Sequence, residues 1–225
     1  MINEILAYWP QLLSSSMLTI SLLLLAIVAG FSLAFVFTFC LQSKRWWLNL
    51  PVQLLTFFLR GTPLLVQIFL IYYGSSQFTW LRESVFWVAF KQPFVCAVIA
   101  FALNTAAYTC VLLRAAIHAV PANEVEAARA LGMNNLLILR RIVLPRALRL
   151  VLPAYSNEVI MVLKGTSLAS TITLLELMGM TRQIIAQTYD TLLFLLVAGV
   201  LYLLINAIII GFFKLAERRW LLAWR

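Results

Sequence analysis

Long apolar segments alternate with short polar stretches along this chain. Five segments reach transmembrane length, and they cover residues 18–41, 62–81, 93–117, 152–178 and 192–215. A helix needs about 20 apolar residues to cross a bilayer. Residues 51–60, just before the second segment, are predicted to form an interfacial helix. The pattern therefore predicts an all-α integral membrane protein with five transmembrane helices.

Basic residues collect in alternate connections between these segments. Those that follow the first, third and fifth segments are Lys44, Arg45, Arg60, Arg114, Arg129, Arg140, Arg141, Arg146, Arg149, Lys214, Arg218, Arg219 and Arg225. Only Arg82, Lys91 and Arg182 follow the second or fourth. Positive residues favour the cytoplasmic side of a membrane. We therefore expect the N-terminus outside and the C-terminus in the cytoplasm.

This topology divides the chain into three parts. Residues 1–16 are an outer N-terminal segment, residues 17–215 form the membrane domain, and residues 216–225 form a cytoplasmic tail. The longest polar connection, at about residues 118–150, is predicted to lie on the cytoplasmic side.

Composition narrows the possible functions. The chain is 64% hydrophobic and 11% charged, whereas soluble domains are about 25% charged. The net charge of +9 is explained by topology, so no nucleic-acid partner is expected. Cys40, Cys96 and Cys110 lie in or beside apolar segments without metal-ligand spacing, and we expect them to be small buried apolar residues. No phosphate-loop or hydrolase motif occurs, so neither ATP binding nor catalysis is expected.

The polar connection is predicted to form two short helices. Pro121 suits the first turn of a helix, and Gly132 supplies the left-handed residue that ends it. Asn134 or Asn135 can cap a second helix. Pro145 is expected to stop or kink that second helix.

One face of the first of these helices carries small residues. Glu124, Ala127, Ala128 and Leu131 stand at helical spacing, and small side chains allow another protein to approach closely. A helix laid into a groove is a common recognition mode. Two other interpretations remain open: a simple connector whose arginines follow topology, and a basic helix lying on anionic lipid.

The same connection resembles a known signature. The matching positions are Glu126, Ala127, Ala128, Gly132, Ile142, Leu144 and Pro145. They resemble the EAA loop of permease subunits of ABC importers, which implies that this loop docks on an ATPase subunit. RGTPLLVQIFLIYYG (60–74), ALNTAAYTCVLLRAAI (102–117), SNEVIMVLKGTSLASTIT (156–173) and QTYD (187–190) resemble the polar amino acid uptake branch, most closely the M-type subunit of bacterial arginine importers.

The resemblance implies a type I (MetI-like) permease bundle in the bacterial inner membrane. Its expected partners are two ABC ATPase subunits that bind ATP and magnesium, a second similar permease subunit and an extracytoplasmic amino-acid-binding protein. The expected cargo is a polar, basic amino acid, arginine first, and no cofactor is expected in this chain. Many relatives carry acids where this chain has Val111 and Gly165, which favours a heterodimeric pore.

A stand-alone secondary amino acid transporter or channel is the alternative. Five predicted spans show no inverted repeat of the kind that many secondary transporters have. This alternative also leaves the loop at residues 118–150 without a purpose.

Polar residues within the apolar segments are candidates for the substrate path. Ionisable residues in a bilayer usually face a cavity or a partner, which singles out Glu158 and Lys164. Asn157, Lys164, Ser167 and Thr171 are predicted to share one helical stripe, which Gly165 weakens. The full set is Gln67, Asn104, Tyr108, Asn157, Glu158, Lys164, Thr166, Ser167 and Thr171. For these residues, hydrogen bonding between helices is the competing interpretation.

Overall fold

A computed structural model describes residues 2–222 of the chain. Within this range all regular secondary structure is helical, which confirms the all-α prediction. The helices before the polar connection are α1 (Ile2–Gln42), α2 (Trp46–Gly61), α3 (Leu64–Ser75), α4 (Thr79–Arg82), α5 (Trp87–Phe90) and α6 (Pro93–His118). The later ones are α7 (Ala122–Ala130), α8 (Asn135–Ile138), α9 (Leu144–Gly165), α10 (Leu177–Thr188) and α11 (Thr191–Leu222). A π-helical turn (Leu139–Val143) joins α8 to α9, and a 3-10 helix (Thr166–Ile172) follows α9.

Helix α6 lies at the centre of the bundle and packs most extensively against α1. Gly30 of α1 makes this possible. A Cβ built at Gly30 would clash with the Thr105 side chain and would lie 3.0 Å from the Ala102 carbonyl oxygen. Small residues let membrane helices approach closely, because attraction between them depends on van der Waals packing.

Three described helices are long and apolar enough to cross a membrane, namely Glu4–Gln42, Pro93–His118 and Thr191–Arg219. Two bent pairs pass the same test together. One joins α2 to α3 at 111°, and the other joins Asn135–Ile172 to α10 at 50°. The described residues therefore hold three spans, or up to five if each bent pair is one span. The five-span topology and its orientation stay predictions.

The first two predicted boundaries are wrong. Helix α1 begins at Ile2 rather than near residue 18. The polar serines before residue 18 do not end the helix, because the Ser15 and Ser16 hydroxyls both donate hydrogen bonds to the Leu12 carbonyl of the same helix. The helix predicted at residues 51–60 extends over the whole of α2, and residues 62–81 form α3 and the start of α4 rather than one helix. The bend between α2 and α3 falls at Thr62, which is extended (φ −112°, ψ 147°) as expected before proline.

The fourth predicted helix, at residues 152–178, is broken. α9 ends at Gly165, and the 3-10 helix ends at Thr173, which is left-handed (φ 65°). The hydroxyls of Ser167, Ser170 and Thr171 each donate to the carbonyl three residues earlier, which favours the tighter helix. The prediction that Asn157, Lys164, Ser167 and Thr171 share one α-helical stripe is therefore wrong.

Pro145 does not end the second helix of the polar connection. The chain runs from α8 through the π-helical turn into α9, and Pro145 lies in the first turn of α9. Proline lacks an N–H and crowds the carbonyl four residues earlier, and the wider π-helical turn removes the need for that hydrogen bond. Helix α11 also continues into the predicted tail, of which Arg225 lies outside the described residues.

Candidate functional site

One side of helix α7 packs against other helices of the bundle. Arg146 of α9 donates from Nη1 to Glu124, at 2.6 Å from Oε1 and 2.7 Å from Oε2. Val125 packs against the apolar cluster formed by α1, α6 and α9, and Ala128 is only 3% exposed. The prediction that Glu124, Ala127, Ala128 and Leu131 form one free face is therefore wrong for Glu124 and Ala128.

Other residues of α7 and of the following loop and helix are open to solvent. Glu126 and Ala127 are exposed, and Leu131 and Leu136 are 83% and 74% exposed. We call these four residues the exposed loop face. A turn at Gly132 divides the face, because Gly132 adopts a left-handed conformation (φ 79°) that costs glycine little.

Helix α8 begins directly after this turn. The Asn134 side chain accepts a hydrogen bond of 2.8 Å from the Leu137 N–H, so Asn134 rather than Asn135 is the cap. The remaining signature positions, Ile142, Leu144 and Pro145, are half-buried in the π-helical turn and the first turn of α9. The loop therefore presents two leucines outward while its second helix continues into the bundle.

A cleft of about 460 Å³ opens between the end of α9 and α11. We call it the α9–α11 cleft. Its polar wall combines Lys164 and Ser167 with Tyr202 and Asn206. Its apolar wall is formed by Leu163, Met178, Leu195, Ala198, Gly199 and Leu203. Two of the predicted path residues, Lys164 and Ser167, thus meet in this cleft.

Glu176 is a buried acid that the sequence reasoning missed. Its side chain is fully buried and caps α10, accepting hydrogen bonds from the Met178 N–H (3.0 Å) and the Gly179 N–H (2.9 Å). The Tyr202 hydroxyl donates to it at 2.8 Å. Three donors therefore compensate the burial of this carboxyl group. Glu176 lies within the fourth apolar segment, so the signal that singled out Glu158 and Lys164 could have found it.

Gln67, Asn104 and Tyr108 join the α2–α3 bend to α6. Gln67 is 3% exposed and donates to the carbonyls of Leu59 (2.7 Å) and Thr62 (3.0 Å) at the end of α2. Asn104 donates to Gln67 Oε1 at 3.0 Å. Tyr108 donates to the Arg60 carbonyl at 3.3 Å. These residues bond between helices, and none of them lines the α9–α11 cleft.

The other predicted path residues are also dispersed. Glu158 accepts a hydrogen bond of 3.1 Å from the Thr105 hydroxyl of α6. The Thr166 and Thr171 hydroxyls each donate to the carbonyl three residues earlier, at Leu163 and Leu168. Asn157 is exposed on α9. None of these four residues lines the α9–α11 cleft, although the buried Thr166 side chain contacts Tyr202, which does.

The three cysteines lie outside the exposed loop face and do not line the α9–α11 cleft. Cys96 and Cys110 are buried, Cys40 is half-buried, and all three are free thiols. Across residues 2–222, no group of three or more histidine, cysteine, aspartate or glutamate side chains is arranged to hold a metal ion.

A bundle of membrane helices, an exposed loop and a polar cleft between helices are the features of a membrane permease subunit. Residues 26–222 match the model of the binding-protein-dependent transport system inner membrane component, and the chain belongs to this family. It is therefore a permease subunit of an ABC transporter in the inner membrane, and ATP is hydrolysed by separate ATPase subunits. These findings confirm the family, the location and the non-enzymatic role predicted above.

The chain is similar over most of its length to transport permeases. The octopine transport system permease protein OccM of Rhizobium meliloti is 46% identical over 206 residues, which is 92% of this chain and 84% of that protein. The arginine ABC transporter permease protein ArtM of Haemophilus influenzae is 44% identical, over 87% of this chain and 84% of its own. The histidine/lysine/arginine/ornithine transport system permease protein HisM of Escherichia coli is 40% identical, over 98% and 96%.

The fold is also that of a solved transporter. A chain from the crystal structure of an amino acid ABC transporter with histidines matches with a TM-score of 0.85 and 30% identity, covering 96% of each chain. The predicted type I (MetI-like) permease fold is thereby confirmed.

Proposed function

We propose that the chain forms half of the translocation path of an ABC importer for basic amino acids, arginine first. Two of its relatives are named for arginine and for histidine, lysine, arginine and ornithine. The mixed polar and apolar cleft between α9 and α11 supports a polar cargo that carries an aliphatic chain.

The exposed loop face is the main observation that supports coupling to an ATPase subunit. Leu131 and Leu136 are large, apolar and almost fully exposed, and they flank the Gly132 turn of a loop predicted to be cytoplasmic. Exposed apolar patches mark surfaces that bind another protein. We assign them to a groove on the ATPase subunit, with Glu126 and Ala127 beside them and Gly132 setting the angle between the two helices. Ala128, Ile142, Leu144 and Pro145 support the loop from within.

A continuous path links this face to the cleft. The chain is helical without interruption from Asn135 through the π-helical turn to Gly165, and Lys164 lies at its far end. The Glu124–Arg146 ion pair fixes α7 to the same helix. When ATP binding closes the ATPase subunits, the docked loop moves α9 and thereby changes access to the cleft.

The assembly that we propose contains a second, similar permease subunit, two ATPase subunits and an extracytoplasmic amino-acid-binding protein. The α9–α11 cleft has a basic residue, Lys164, but no acidic lining residue. A cationic side chain in the path needs an acidic partner, because unpaired charges are costly in a membrane. We assign this acid to the sister subunit, which makes the pore a heterodimer.

Reconstituted uptake tests the docking. In proteoliposomes that hold the complex, we expect Glu126→Lys to abolish ATP-driven arginine uptake while the permease still assembles in the membrane. Glu83→Lys is the matched control, because Glu83 is also exposed and lies in a connection predicted to be outside. Undiminished uptake by the Glu126→Lys complex contradicts docking at this face. Arginine uptake by this chain alone, without ATPase subunits, supports the secondary transporter instead.

A further inference from the structure

We propose that helix α2 binds anionic phospholipid of the cytoplasmic leaflet. The outer side of α2 lies among the acyl chains, and Lys44, Arg45 and Arg60 bind the phosphate groups. This inference goes beyond the proposed function and does not depend on the cargo, since it uses only the contacts of α2 and the orientation predicted from the basic residues.

The outer side of α2 is apolar from one end of the helix to the other. It consists of large side chains that are 44% to 79% exposed, and at about 100° per residue they fall within a sector of about 120°. Among the residues of α2, all of which the structure describes, no polar side chain lies in this sector. We call the following residues the α2 outer face: Trp46, Trp47, Leu50, Leu54, Phe57 and Phe58.

The opposite side of α2 packs against the bundle and fixes the direction of the α2 outer face. Thr56 and Leu59 are buried, and α2 contacts both α1 and α6. Asn49 Nδ2 donates to the Leu41 carbonyl at the end of α1 at 3.0 Å, and Gln67 Nε2 donates to the Leu59 carbonyl at 2.7 Å. A rotation of α2 that buried its outer face would break these bonds at both ends of the helix.

A narrow polar edge runs between these two sides. Asn49, Gln53 and Arg60 fall within about 40° of one another around the helix, and Gln53 and Arg60 are exposed. Helix α2 also meets α3 at 111°, so it lies across the direction of α3 rather than along it. A helix with a broad side of Trp, Phe and Leu and a separate polar edge is typical of those that lie in the plane of a membrane surface.

The side chains of the α2 outer face favour lipid over a protein partner. Helices that pack together within membranes use small residues at the contact, because their association depends on close approach. The α2 outer face offers only tryptophan, leucine and phenylalanine. Protein interfaces also contain about one hydrogen bond per 100–200 Å², and on this face only the two indole N–H groups can form one. Acyl chains are therefore the occupant that fits this surface.

The charges beside α2 select an anionic lipid. Lys44, Arg45 and Arg60 are exposed. The sequence has no acidic residue between Glu4 and Glu83, so neither α2 nor α3 supplies a carboxylate for them. Basic residues next to a membrane span attract the anionic lipids of the cytoplasmic leaflet, and arginine binds phosphate oxygens through paired hydrogen bonds.

The start of α2 lies at the level of the lipid head groups. The Arg45 guanidinium lies over the Trp47 ring, 5.7 Å from its centroid, and tryptophan rings concentrate at the membrane–water interface. Arg45 and Arg60 are separated by the length of α2, about 22 Å at about 1.5 Å per residue. The two arginines therefore bind the head groups of two different lipids.

Photo-crosslinking to a phospholipid tests the site. The purified complex is placed in phosphatidylcholine nanodiscs that contain a trace of phosphatidylglycerol with a diazirine in one acyl chain, and the adducts are mapped by peptide mass spectrometry. We expect adducts on α2. Unlabelled phosphatidylglycerol should displace the probe at a mole fraction about fivefold lower, for each basic residue engaged, than neutral phosphatidylethanolamine.

A double variant should remove this preference. Lys44→Gln with Arg45→Gln should weaken displacement by phosphatidylglycerol in the first half of α2 by about 25-fold, the two fivefold factors combined. Arg218→Gln with Arg219→Gln is the matched control, because this pair is also adjacent, exposed and predicted to be cytoplasmic, and it should leave the α2 adducts unchanged. Equal displacement by the two competitors in the wild-type complex, or an unchanged preference in Lys44→Gln with Arg45→Gln, overturns the head-group site.

Spin labels test which molecule covers the α2 outer face. Phe57→Cys and Gln53→Cys are labelled on a Cys40→Ala background, because Cys40 is the half-buried thiol whereas Cys96 and Cys110 are buried. We expect the label at 57 to collide with oxygen, which concentrates among acyl chains, and the label at 53 to collide with a water-soluble nickel complex. Shielding of the label at 57 from both reagents means that a protein subunit covers this face. Collision of that label mainly with nickel means that the face lies in water. Either result overturns the proposal.

These readouts do not require transport, so the two proposals fail separately. A complex that binds phosphatidylglycerol at α2 but shows no ATP-driven amino acid uptake contradicts the proposed function and leaves the lipid site standing. A complex that imports arginine but shows no preference for phosphatidylglycerol at α2 contradicts the lipid site alone.

Discussion

The turn at Gly132 gives the most quantitative test of the loop. Its φ of +79° lies in the left-handed region, and a Cβ added there would meet no atom within 4 Å. Substitution is therefore penalised by backbone conformation alone, at about 1–2 kcal/mol for an ordinary L-residue. Asparagine tolerates this region better than alanine, and a β-branched valine tolerates it less.

We expect Gly132→Asn, Gly132→Ala and Gly132→Val to weaken the turned loop progressively. A cost of about 1–2 kcal/mol shifts the balance between the turned and straightened loop by about 5- to 30-fold. Arginine imported per ATP hydrolysed by the reconstituted complex should fall in the same order, and so should protection of the loop against protease. Gly211→Ala is the control, because Gly211 has ordinary helical geometry and equally open space around it.

Two results would refute this reasoning. Equal coupling in all three Gly132 variants means that the turn does not set the geometry of the docked loop. A loss in Gly132→Ala that matches the loss in Gly211→Ala means that the effect is not specific to the left-handed conformation.

Three further changes probe how the bundle is held together. Gly30→Ala should destabilise the α1–α6 contact by about 1–3 kcal/mol through overpacking, since the added Cβ meets the Thr105 side chain and the Ala102 backbone. Thermal unfolding in detergent measures this loss, and an unchanged unfolding midpoint contradicts the close packing. Gln67→Leu should lower the free energy of unfolding by about 0.6–1.7 kcal/mol, the range for a polar contact between membrane helices, and no loss argues against its bonds to α2 and Asn104. Charge reversal at Glu124 should lower the free energy of unfolding by about 0.2–1 kcal/mol, and combining Glu124→Arg with Arg146→Glu should restore it. A double variant that is no more stable than the single variants contradicts the ion pair.

Features encoded by neighbouring residues could be predicted from the sequence. Helix α6 was expected at residues 93–117 and spans Pro93–His118, because a proline precedes a long apolar run and a polar stretch follows it. The Gly132 turn and the asparagine cap also depend on single residues and their immediate neighbours. Tertiary packing does not change structures that such local signals determine.

Features that depend on distant partners could not be predicted. Ala128 is buried by the tertiary packing of α7, and the Glu124–Arg146 pair that also holds α7 joins residues 22 positions apart. The 3-10 helix after Gly165 forms where α3 and α6 pack against the chain and hydroxyls donate to carbonyls three residues earlier. The role of Glu176 emerges only when α11 brings Tyr202 beside it. In each case the deciding contact comes from another element of the bundle.

The helix that runs unbroken from Asn135 to Gly165 also has a mechanical consequence. At about 1.5 Å per residue it forms a rod of about 45 Å, with an exposed leucine at one end and the lysine of the cleft at the other. If such a rod pivots at one end, a rotation of about 5° displaces the other end by about 4 Å, the arc that its length dictates. In the docking that we propose, a small rearrangement at the ATPase surface would be amplified into a displacement longer than a hydrogen bond, and access to the cleft would change without unfolding of any helix.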